Sequence, residues 1–127
     1  MTTGEIRPVE GTPMDFRKPH AISETINDTT YQQIKNATGY DHNWCLNTYR
    51  DGKGDDTKVC AVLWSPTTKI GLSMYTNEPG VQVYTGNFQG TGISCKHGIK
   101  YPKHVSVCLE SQKYPDSPNK KNWPSPY

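Results

Sequence analysis

Residues 104–119, HVSVCLESQKYPDSPN, carry the clearest strand pattern in the chain. Val105, Val107 and Leu109 stand at every second position, with polar or small side chains between them. This period of two is typical of a β-strand that buries one face. The pattern predicts that Glu110 stands on the last rung of the strand and points away from the core, with its carboxylate held on stiff backbone. A glutamate that only faces water fits the same pattern.

Further strands are predicted upstream, together with one short helix. Residues 58–65 are apolar on both faces, which predicts a central strand of a sandwich. Residues 69–75 alternate, which predicts a strand that buries its isoleucine, leucine and methionine. Residues 77–80, NEPG, predict a type II turn in which Gly80 has a positive φ. The other predicted elements are a strand at 44–47, a surface hairpin loop at 51–56, a strand at 81–85 and a short helix that starts near Thr29 or Thr30.

The composition argues against several classes of protein. The 127 residues allow one domain at most. Only 32% are hydrophobic, so either much of the surface is loop or some apolar partners lie on another chain. A formal charge of +2 is too small to predict nucleic-acid binding. No apolar run is long enough for a membrane span, and no signal-peptide core follows Met1, so we expect a cytoplasmic protein.

The cysteines are predicted to be free thiols and not metal ligands. Disulfides are rare in cytoplasmic proteins. The chain has no C-x-x-C motif, and its histidines form no close ligand pair with the cysteines, so we expect no zinc site. The glycine-rich residues 86–104 lack the motifs of a phosphate-binding loop and are predicted to be irregular. The cysteines are Cys45, Cys60, Cys95 and Cys108.

Three segments resemble the galactose mutarotase (aldose 1-epimerase) family, in the same order along the chain. They are residues 39–43 (GYDHN), residues 78–88 (EPGVQVYTGNF) and residues 108–119 (CLESQKYPDSPN). The opening residues 4–6 (GEI) and 11–16 (GTPMDF) fit as well. The resemblance covers nearly the whole chain, but only the C-terminal portion of the family's longer fold.

This resemblance implies a fold and an activity. The fold is all-β, part of a galactose mutarotase-like β-supersandwich of antiparallel sheets with at most one short helix. Residues 1–127 would be the C-terminal part of such a domain, with the N-terminal half absent. The activity is the interconversion of the α and β anomers of galactose or glucose, a reaction that needs no metal and no organic cofactor.

Three residues take roles through the resemblance. Glu110 is the general base that removes the proton of the C1 hydroxyl, while Asp41 and Gln82 bind other hydroxyls of the sugar. From the residues alone, Asp41 could equally cap or turn the backbone. Gln82 and Tyr84 share one face of their predicted strand, but Tyr84 could be a packing residue. His42 is either a further sugar donor or a packed or solvent-facing histidine.

The general acid of the family has no counterpart in this chain. In mutarotases a histidine from the N-terminal half protonates the ring oxygen, and no histidine here stands in a matching context. We therefore expect a truncated form that keeps the base and part of the sugar site. Its open sheet edges predict self-association or pairing with a missing N-terminal half. The histidines are His20, His42, His97 and His104.

Two other functions fit the residues. One is a non-catalytic carbohydrate-binding module, in which Glu110 is only a hydrogen-bond acceptor. Its sugar contacts would be Asp41, Gln82, Tyr84 and Trp44. The other is a relative of glucose-6-phosphate 1-epimerase, which needs arginines for the phosphate, and the arginines here do not stand in matching contexts.

Overall fold

The computed structural model describes residues 2–90, 92 and 94–124, so Thr91 and Ile93 of the predicted irregular loop lie outside the described residues. The described chain has one α-helix, α1 (Gln32–Ala37), and single turns of 3₁₀ helix at Ile22–Glu24, Lys96–Gly98 and Ser117–Asn119. Its strands are β1 (Asp41–Cys45), β2 (Tyr49–Arg50), β3 (Lys53–Gly54), β4 (Ala61–Trp64), β5 (Gly71–Met74), β6 (Gly80–Tyr84) and β7 (Cys108–Gln112). The prediction of an all-β fold with at most one short helix is confirmed, and the larger β-supersandwich stays a prediction.

The strands form three small sheets. β1, β6 and β7 form a three-stranded sheet in the order β1-β6-β7. β2 pairs antiparallel with β3, with Tyr49 opposite Gly54, which confirms the hairpin predicted at 51–56. β4 pairs antiparallel with β5, with Ala61 opposite Met74. Short strands in small sheets match the low hydrophobic content of the chain, because each sheet buries little apolar surface.

The chain divides into two compact units. The first unit comprises Met1–Glu5, Asn43–Gln82 and Glu110–Tyr127, and the second comprises Ile6–His42 and Val83–Leu109. Gln82 and Glu110 therefore belong to the first unit, and Asp41 belongs to the second. That residues 1–127 are part of one mutarotase-like domain stays a prediction.

The core of the second unit forms around Tyr40, whose side chain is fully buried. Helix α1 contributes Ile34, the N-terminal arm contributes Met14, and the segment after the first 3₁₀ turn contributes Ile26, all of them buried. The ring of Phe16 meets the Tyr40 ring edge to face, with centroids 5.3 Å apart. The proline-rich arm thus lies against an aromatic centre of its own unit, which an extended segment needs in order to stay folded.

Helix α1 begins slightly later than predicted. The Asp28 carboxylate accepts the backbone N–H of Thr30 at 3.0 Å, and this local hydrogen bond holds the preceding residues in a turn, so the helix starts at Gln32. At its other end Thr38 adopts a left-handed conformation. The Gly39 N–H then donates to the Ile34 carbonyl at 3.2 Å, which closes the helix just before β1.

The core of the first unit is built around two aromatic residues. Leu46, Val81, Tyr114 and Trp123 are its buried hydrophobic residues. The rings of Tyr114 and Trp123 meet edge to face with centroids 5.6 Å apart. This contact anchors the C-terminal segment to the residues that follow β7, so the segment carrying Glu110 has a fixed end.

The prediction that residues 58–65 form a central, doubly buried strand is wrong. Only Ala61–Trp64 are in strand conformation, and in the described chain they pair with β5 alone. Val62 is 67% exposed and Trp64 is 57% exposed. Leu72 on β5 is 50% exposed, so the predicted inward face of that strand is open as well. An apolar run predicts a strand that is covered by another layer of the fold. No layer within the described residues covers the hairpin of β4 and β5.

The C-terminal strand starts later than the alternation of residues 104–109 predicts. His104 has a positive φ, its N–H donates to the Gly86 carbonyl at 3.2 Å, and its Nε2 lies 2.9 Å from the Thr38 carbonyl oxygen. These contacts tie His104 into a loop of the second unit. Val105 is consequently 45% exposed, and β7 begins at Cys108.

Candidate functional site

Glu110 lies at the centre of β7, and its side chain is exposed. The prediction that Glu110 is on the last rung of its strand is wrong, because β7 extends to Gln112. The prediction that its carboxylate points away from the core is confirmed. Strand backbone on both sides holds this carboxylate more firmly than a strand end would.

Three side-chain amides lie beside one another in the first unit. Gln112 Nε2 donates to Gln82 Oε1 and to Asn43 Oδ1, each at 3.2 Å. Side chains that hydrogen-bond across neighbouring strands lie on one side of a sheet, so Asn43, Gln82 and Gln112 form what we call the amide face. Glu110 shares this side, because residues two positions apart in a strand point the same way. The structure thus places Gln82 and Glu110 on the same face of the sheet.

Gly80 makes room for the amide face. It does not have the positive φ that a type II turn requires, so the prediction of that turn is wrong. It is the first residue of β6, where a Cβ would lie 2.5 Å from Asn43 Oδ1 and 3.0 Å from Tyr114 Cδ1. Glycine is needed here because a residue without a Cβ lets these side chains approach closely. The sequence alone does not distinguish this requirement from the requirement for a positive φ.

A polar hollow of about 300 Å³ also lies in the first unit. Tyr49, Lys53, Glu78 and Lys113 are among its lining residues. Lys113 Nζ lies 2.8 Å from Glu78 Oε2, so these two charges neutralise each other within the hollow. Lys53 and Asp56 add one charge of each sign to the lining, so the hollow offers no net charge to attract an ionic ligand.

Asp41 is the half-buried first residue of β1, in the second unit. Its backbone N–H donates to Nδ1 of His42 at 3.0 Å. Asp41 therefore lies in a strand and not in a turn, which removes the interpretation of this residue as a turn former. Its position depends on Tyr40, the residue immediately before it.

A buried hydrogen-bond network surrounds Tyr40. The Tyr40 N–H donates to Thr85 Oγ1 at 3.0 Å, and the Thr85 N–H donates to the Tyr40 carbonyl at 3.1 Å. Asn87 Nδ2 donates to the same carbonyl at 2.9 Å, and Asn87 Oδ1 accepts the Thr85 hydroxyl at 2.6 Å. At most 4% of each of these residues is exposed. We call Tyr40, Thr85, Asn87 and the adjoining Gly39 the Tyr40 clasp.

The clasp joins two of the segments that carry the family resemblance. Its members come from the segments 39–43 and 78–88, which are far apart in sequence. The Tyr40 hydroxyl donates to the Pro13 carbonyl at 2.7 Å and lies 2.6 Å from Thr25 Oγ1, so the N-terminal arm is tied in as well. A Cβ on Gly39 would overlap Asn87 Oδ1, so only glycine fits there. These residues hold the start of β1 in place and thereby position Asp41.

Three of the four histidines contact backbone groups of the chain. His42 accepts the Asp41 N–H through Nδ1 and hydrogen-bonds the backbone of Gln33, and burial of the ring lowers its pKa. His42 is therefore a packed, neutral histidine at neutral pH. Nε2 of His104 and Nδ1 of His20 each lie within hydrogen-bond distance of a backbone carbonyl.

The described residues contain neither a cluster of metal ligands nor a helix that could span a membrane. No group of three or more histidine, cysteine, aspartate or glutamate side chains there is arranged to hold a metal ion. No helix of the described chain has the length and apolar character to cross a bilayer. The four cysteines carry free thiols.

Sequence reasoning missed the residues that support the candidate site. Asn43 and Gln112 belong to the segments that carry the resemblance, yet only the structure shows that their amides meet Gln82. Gln112 stands two positions after Glu110, which is a signal that it shares the face of the base. The sequence did not indicate that Thr85 and Asn87 are buried, because polar residues near the end of a strand usually indicate an exposed turn.

The chain was compared with known proteins. It matches the family model described as Aldose 1-epimerase over residues 1–126. It is 41% identical to galactose mutarotase of Mus musculus over 122 residues and 40% identical to galactose mutarotase of Homo sapiens over 123 residues. Each alignment covers 96% of this chain and 32% of the relative.

A bacterial relative gives the same result. The chain is 39% identical to aldose 1-epimerase of Escherichia coli (strain K12) over 122 residues, which cover 95% of this chain and 33% of the relative. The chain thus spans about a third of the length of the curated relatives it matches. Since the family model matches residues 1–126, the chain belongs to the aldose 1-epimerase family.

Proposed function

We propose that this protein takes part in aldose 1-epimerisation, the interconversion of the α and β anomers of galactose or glucose, with Glu110 as general base. The observation that carries the proposal is the exposed carboxylate of Glu110 at the centre of β7, on the same side of the sheet as Gln82. The similarity to the mouse and human galactose mutarotases and to the bacterial aldose 1-epimerase supports the same reaction.

The chemistry requires two proton transfers on opposite sides of one bond. A base removes the proton of the C1 hydroxyl while an acid delivers a proton to the ring oxygen, and the pyranose ring opens. After rotation about the C1–C2 bond, the hydroxyl formed from the ring oxygen attacks the other face of the C1 carbonyl and returns its proton to the acid. The base returns its proton to the carbonyl oxygen, and the ring is closed as the other anomer. Glu110 performs the base step. The reaction consists of proton transfers and of the breaking and re-forming of the bond between C1 and the ring oxygen, so the proposal includes no metal and no organic cofactor.

Asp41 and Gln82 bind other hydroxyls of the sugar in this proposal. Gln82 supplies an amide on the face of Glu110, and their strands β6 and β7 are neighbours in the sheet. The role of Asp41 rests on the resemblance of residues 39–43 to the family. Orientation of the sugar by such contacts supplies much of the rate enhancement in reactions of this kind.

The acid role is assigned to none of the described histidines. His42, His104 and His20 contact backbone groups, and His97 stands in no matching context. We propose that a segment outside residues 1–127, on the same or another polypeptide, supplies the acid. The exposed apolar side chains of β4 and β5 support self-association or pairing with such a segment. A cytoplasmic location stays a prediction.

Polarimetry tests the proposal. The chain is mixed with freshly dissolved α-D-galactose at neutral pH, and the decay of optical rotation is compared with buffer and with the variant Glu110→Gln. We expect a catalysed component that is about 10²- to 10⁴-fold below that of a complete family member, because one partner of the proton transfer is missing. A decay equal to that in buffer, or an unchanged rate in Glu110→Gln, would contradict the base assignment.

A carbohydrate-binding module without turnover is the second candidate. The amide face favours it, because amides bind hydroxyl groups without any need for an acid. Saturation-transfer NMR with galactose separates the two functions. A binding module shows saturation transfer in the wild-type chain and in Glu110→Gln while neither accelerates mutarotation, whereas the enzyme loses turnover in the variant and keeps its affinity.

A further inference from the structure

We propose that Phe88 contacts the sugar by stacking its exposed ring on the C–H face of galactose, and that this contact favours galactose over glucose. The inference rests on the proposed function, in which Asp41 binds the sugar. It adds an aromatic contact to the polar contacts of that function and names the sugar that the contact selects.

The ring of Phe88 is held in place although it faces outward. Phe88 is 62% exposed. Its N–H donates to the hydroxyl oxygen of Tyr84 at 3.1 Å, and the two rings are stacked, with centroids 6.5 Å apart and planes inclined by 22°. Single exposed apolar side chains are common on protein surfaces. Phe88 differs from them because one tyrosine contacts both its backbone and its ring.

The backbone on either side of Phe88 is restrained as well. Asn87, the residue before it, is buried in the Tyr40 clasp. Gln89, the residue after it, donates its N–H to the Gly86 carbonyl at 3.1 Å, which closes a turn around Phe88. A ring that is positioned before the ligand arrives loses little further freedom on binding, so more of the stacking interaction appears as affinity.

The pairing of β1 with β6 determines the side of the sheet on which this ring lies. The Thr85 N–H donates to the Tyr40 carbonyl at 3.1 Å, and the Leu46 N–H donates to the Pro79 carbonyl at 2.9 Å. The hydrogen-bonded partner thus moves back along the chain as β1 advances. The two strands are neighbours in the sheet and therefore run antiparallel.

Asp41 and Tyr84 are opposite each other in this register, because Asp41 follows Tyr40 and Tyr84 precedes Thr85. Side chains of directly opposite residues lie on the same side of a sheet. The ring of Phe88 stacks on Tyr84 and lies on that side as well. Asp41, Tyr84 and Phe88 all belong to the second unit. An exposed aromatic ring therefore accompanies the carboxylate to which the proposed function assigns a sugar contact.

The shape of galactose suits an aromatic ring at this place. The face of an aromatic ring carries partial negative charge, and the hydrogens on the carbons of a sugar carry partial positive charge because each carbon is bonded to oxygen. The C4 hydroxyl of galactose is axial, so the hydrogens of C3, C4 and C5 lie on one face of the pyranose and form an apolar patch. In glucose the C4 hydroxyl is equatorial, and the C4 hydrogen points to the opposite face. Phe88 therefore has a larger apolar patch to contact in galactose than in glucose.

The substitution Phe88→Leu tests the contact in the full chain. Leucine keeps an apolar side chain but lacks the ring. We expect the dissociation constant for galactose, measured by NMR titration, to rise about 3- to 10-fold, and that for glucose to rise less than about 2-fold. The catalysed rate at saturating galactose should change less than about 2-fold, because stacking contributes equally to the ground state and the transition state. Phe88→Tyr keeps the ring and should bind galactose as the wild type does.

Saturation-transfer NMR gives a second readout of the same contact. When the aromatic protons of the protein are saturated, the hydrogens of C3, C4 and C5 of galactose should receive most of the signal in wild type and much less in Phe88→Leu. Trp64→Leu is the matched control, because Trp64 is 57% exposed but lies in the separate sheet of β4 and β5. It should leave both readouts unchanged. The urea midpoints of the two leucine variants should stay close to that of wild type, since both side chains are exposed.

The results distinguish a failure of this inference from a failure of the proposed function. If Phe88→Leu keeps the wild-type affinity for galactose while Glu110→Gln loses turnover, Phe88 does not contact the sugar and the proposed function stands. If the affinities for galactose and glucose fall equally, or fall as much in Trp64→Leu, the preference assigned to Phe88 is wrong. If the wild-type chain neither binds nor epimerises galactose, both are wrong.

Discussion

The Tyr40 clasp and the amide face use the same polar groups in opposite ways. In the clasp, Tyr40, Thr85 and Asn87 are almost completely buried and hydrogen-bond one another. On the amide face the side chains are half-buried, and the neighbouring carboxylate of Glu110 is exposed. The family segments thus contain residues that maintain the fold and residues that, in the proposed function, face a ligand. Substitutions in the clasp should cost stability, and substitutions on the amide face should cost function.

Glu110→Gln provides the largest expected effect on function. The variant keeps the shape of the side chain but cannot accept a proton as a carboxylate does, so the catalysed component of mutarotation should fall about 10²- to 10⁴-fold. Its free energy of unfolding should stay within about 0.5 kcal/mol of wild type, because the side chain is exposed. Polarimetry and urea denaturation measure the two quantities. A marked loss of stability would mean that Glu110 supports the fold as the Tyr40 clasp does. The contrast between a stabilising region and a functional region would then be wrong.

Gly39→Ala should be the most destabilising substitution. Gly39 has φ +143°, and an added Cβ would overlap Asn87 Oδ1 and lie 2.9 Å from His104 Nε2. Strain and overpacking together should cost about 3 kcal/mol or more in the free energy of unfolding. Gly11→Ala is the matched control in the same unit, since Gly11 has φ +69° and no atom within 4 Å of an added Cβ. It should cost about 1–2 kcal/mol from the dihedral alone, and equal losses in the two variants would contradict the packing argument.

Asn87→Ala tests the hydrogen bonds of the clasp without adding bulk. It removes one donor to the Tyr40 carbonyl and the nearer acceptor of the Thr85 hydroxyl, which keeps only the Tyr40 carbonyl at 3.2 Å, and this should cost about 1–3 kcal/mol. Asn36→Ala removes an amide hydrogen bond on the exposed surface of helix α1 and should cost about 0.5 kcal/mol or less. Urea denaturation of both variants gives the difference. Similar values would mean that the clasp is no more important than a surface contact.

Sequence reasoning located the elements better than their burial. Strand alternation and turn residues placed the hairpin at 51–56 and the strands in the right regions, because these signals are local. The pattern of residues 58–65 predicted the most buried strand, yet Val62 and Trp64 are among the exposed apolar residues. Whether an apolar strand is covered depends on which layers pack on it, and that is not a local property of the strand.

The candidate site was predicted only in part for a related reason. The family segments identified Glu110 and Gln82, and the structure places both on one face of a sheet. The supporting amides of Asn43 and Gln112 depend on the register between strands that are distant in sequence. Gly80 was interpreted through its dihedral, whereas its role is to leave space for Asn43. Contacts of this kind appear only when the strands are assembled.

A pH titration of stability tests whether His42 belongs with the buried groups. Burial lowers the pKa of His42 in the folded state, so the unfolded chain binds a proton more readily. The contribution of His42 is fully present above its ordinary pKa of 6.5 and is lost as the pH falls below that value. In His42→Gln the urea midpoint should decline less between pH 7 and pH 5 than in wild type. Parallel declines in the two proteins would show that His42 titrates as an exposed histidine does.

The surface pair of Asp15 and Arg17 gives the smallest expected effect on stability. Arg17 Nε and Nη2 donate to the two Asp15 carboxylate oxygens at 2.8 and 2.7 Å, and these hydrogen bonds lower the pKa of Asp15 to about 2. In Arg17→Gln the Asp15 pKa, followed by NMR, should return toward its ordinary value of 3.8. The contribution of Asp15 is present above that value and is lost as the pH falls toward 2. Water screens this surface pair, so the contribution is small and the thermal midpoint at pH 7 should change little, as is usual for exposed ion pairs.

The pair of Asp55 and Lys58 serves as a second example of the same rule. Lys58 Nζ lies 2.8 Å from Asp55 Oδ2, and the pKa of Asp55 is also lowered to about 2. In Lys58→Gln the pKa of Asp55 should rise but stay below its ordinary value of 3.8. Thr57 continues to donate to the carboxylate through its hydroxyl and its N–H. If either surface variant lowered stability at pH 7 as much as Asn87→Ala, burial would not be what distinguishes the Tyr40 clasp. Hydrogen bonds at the surface would then contribute as much to the fold as hydrogen bonds in its core.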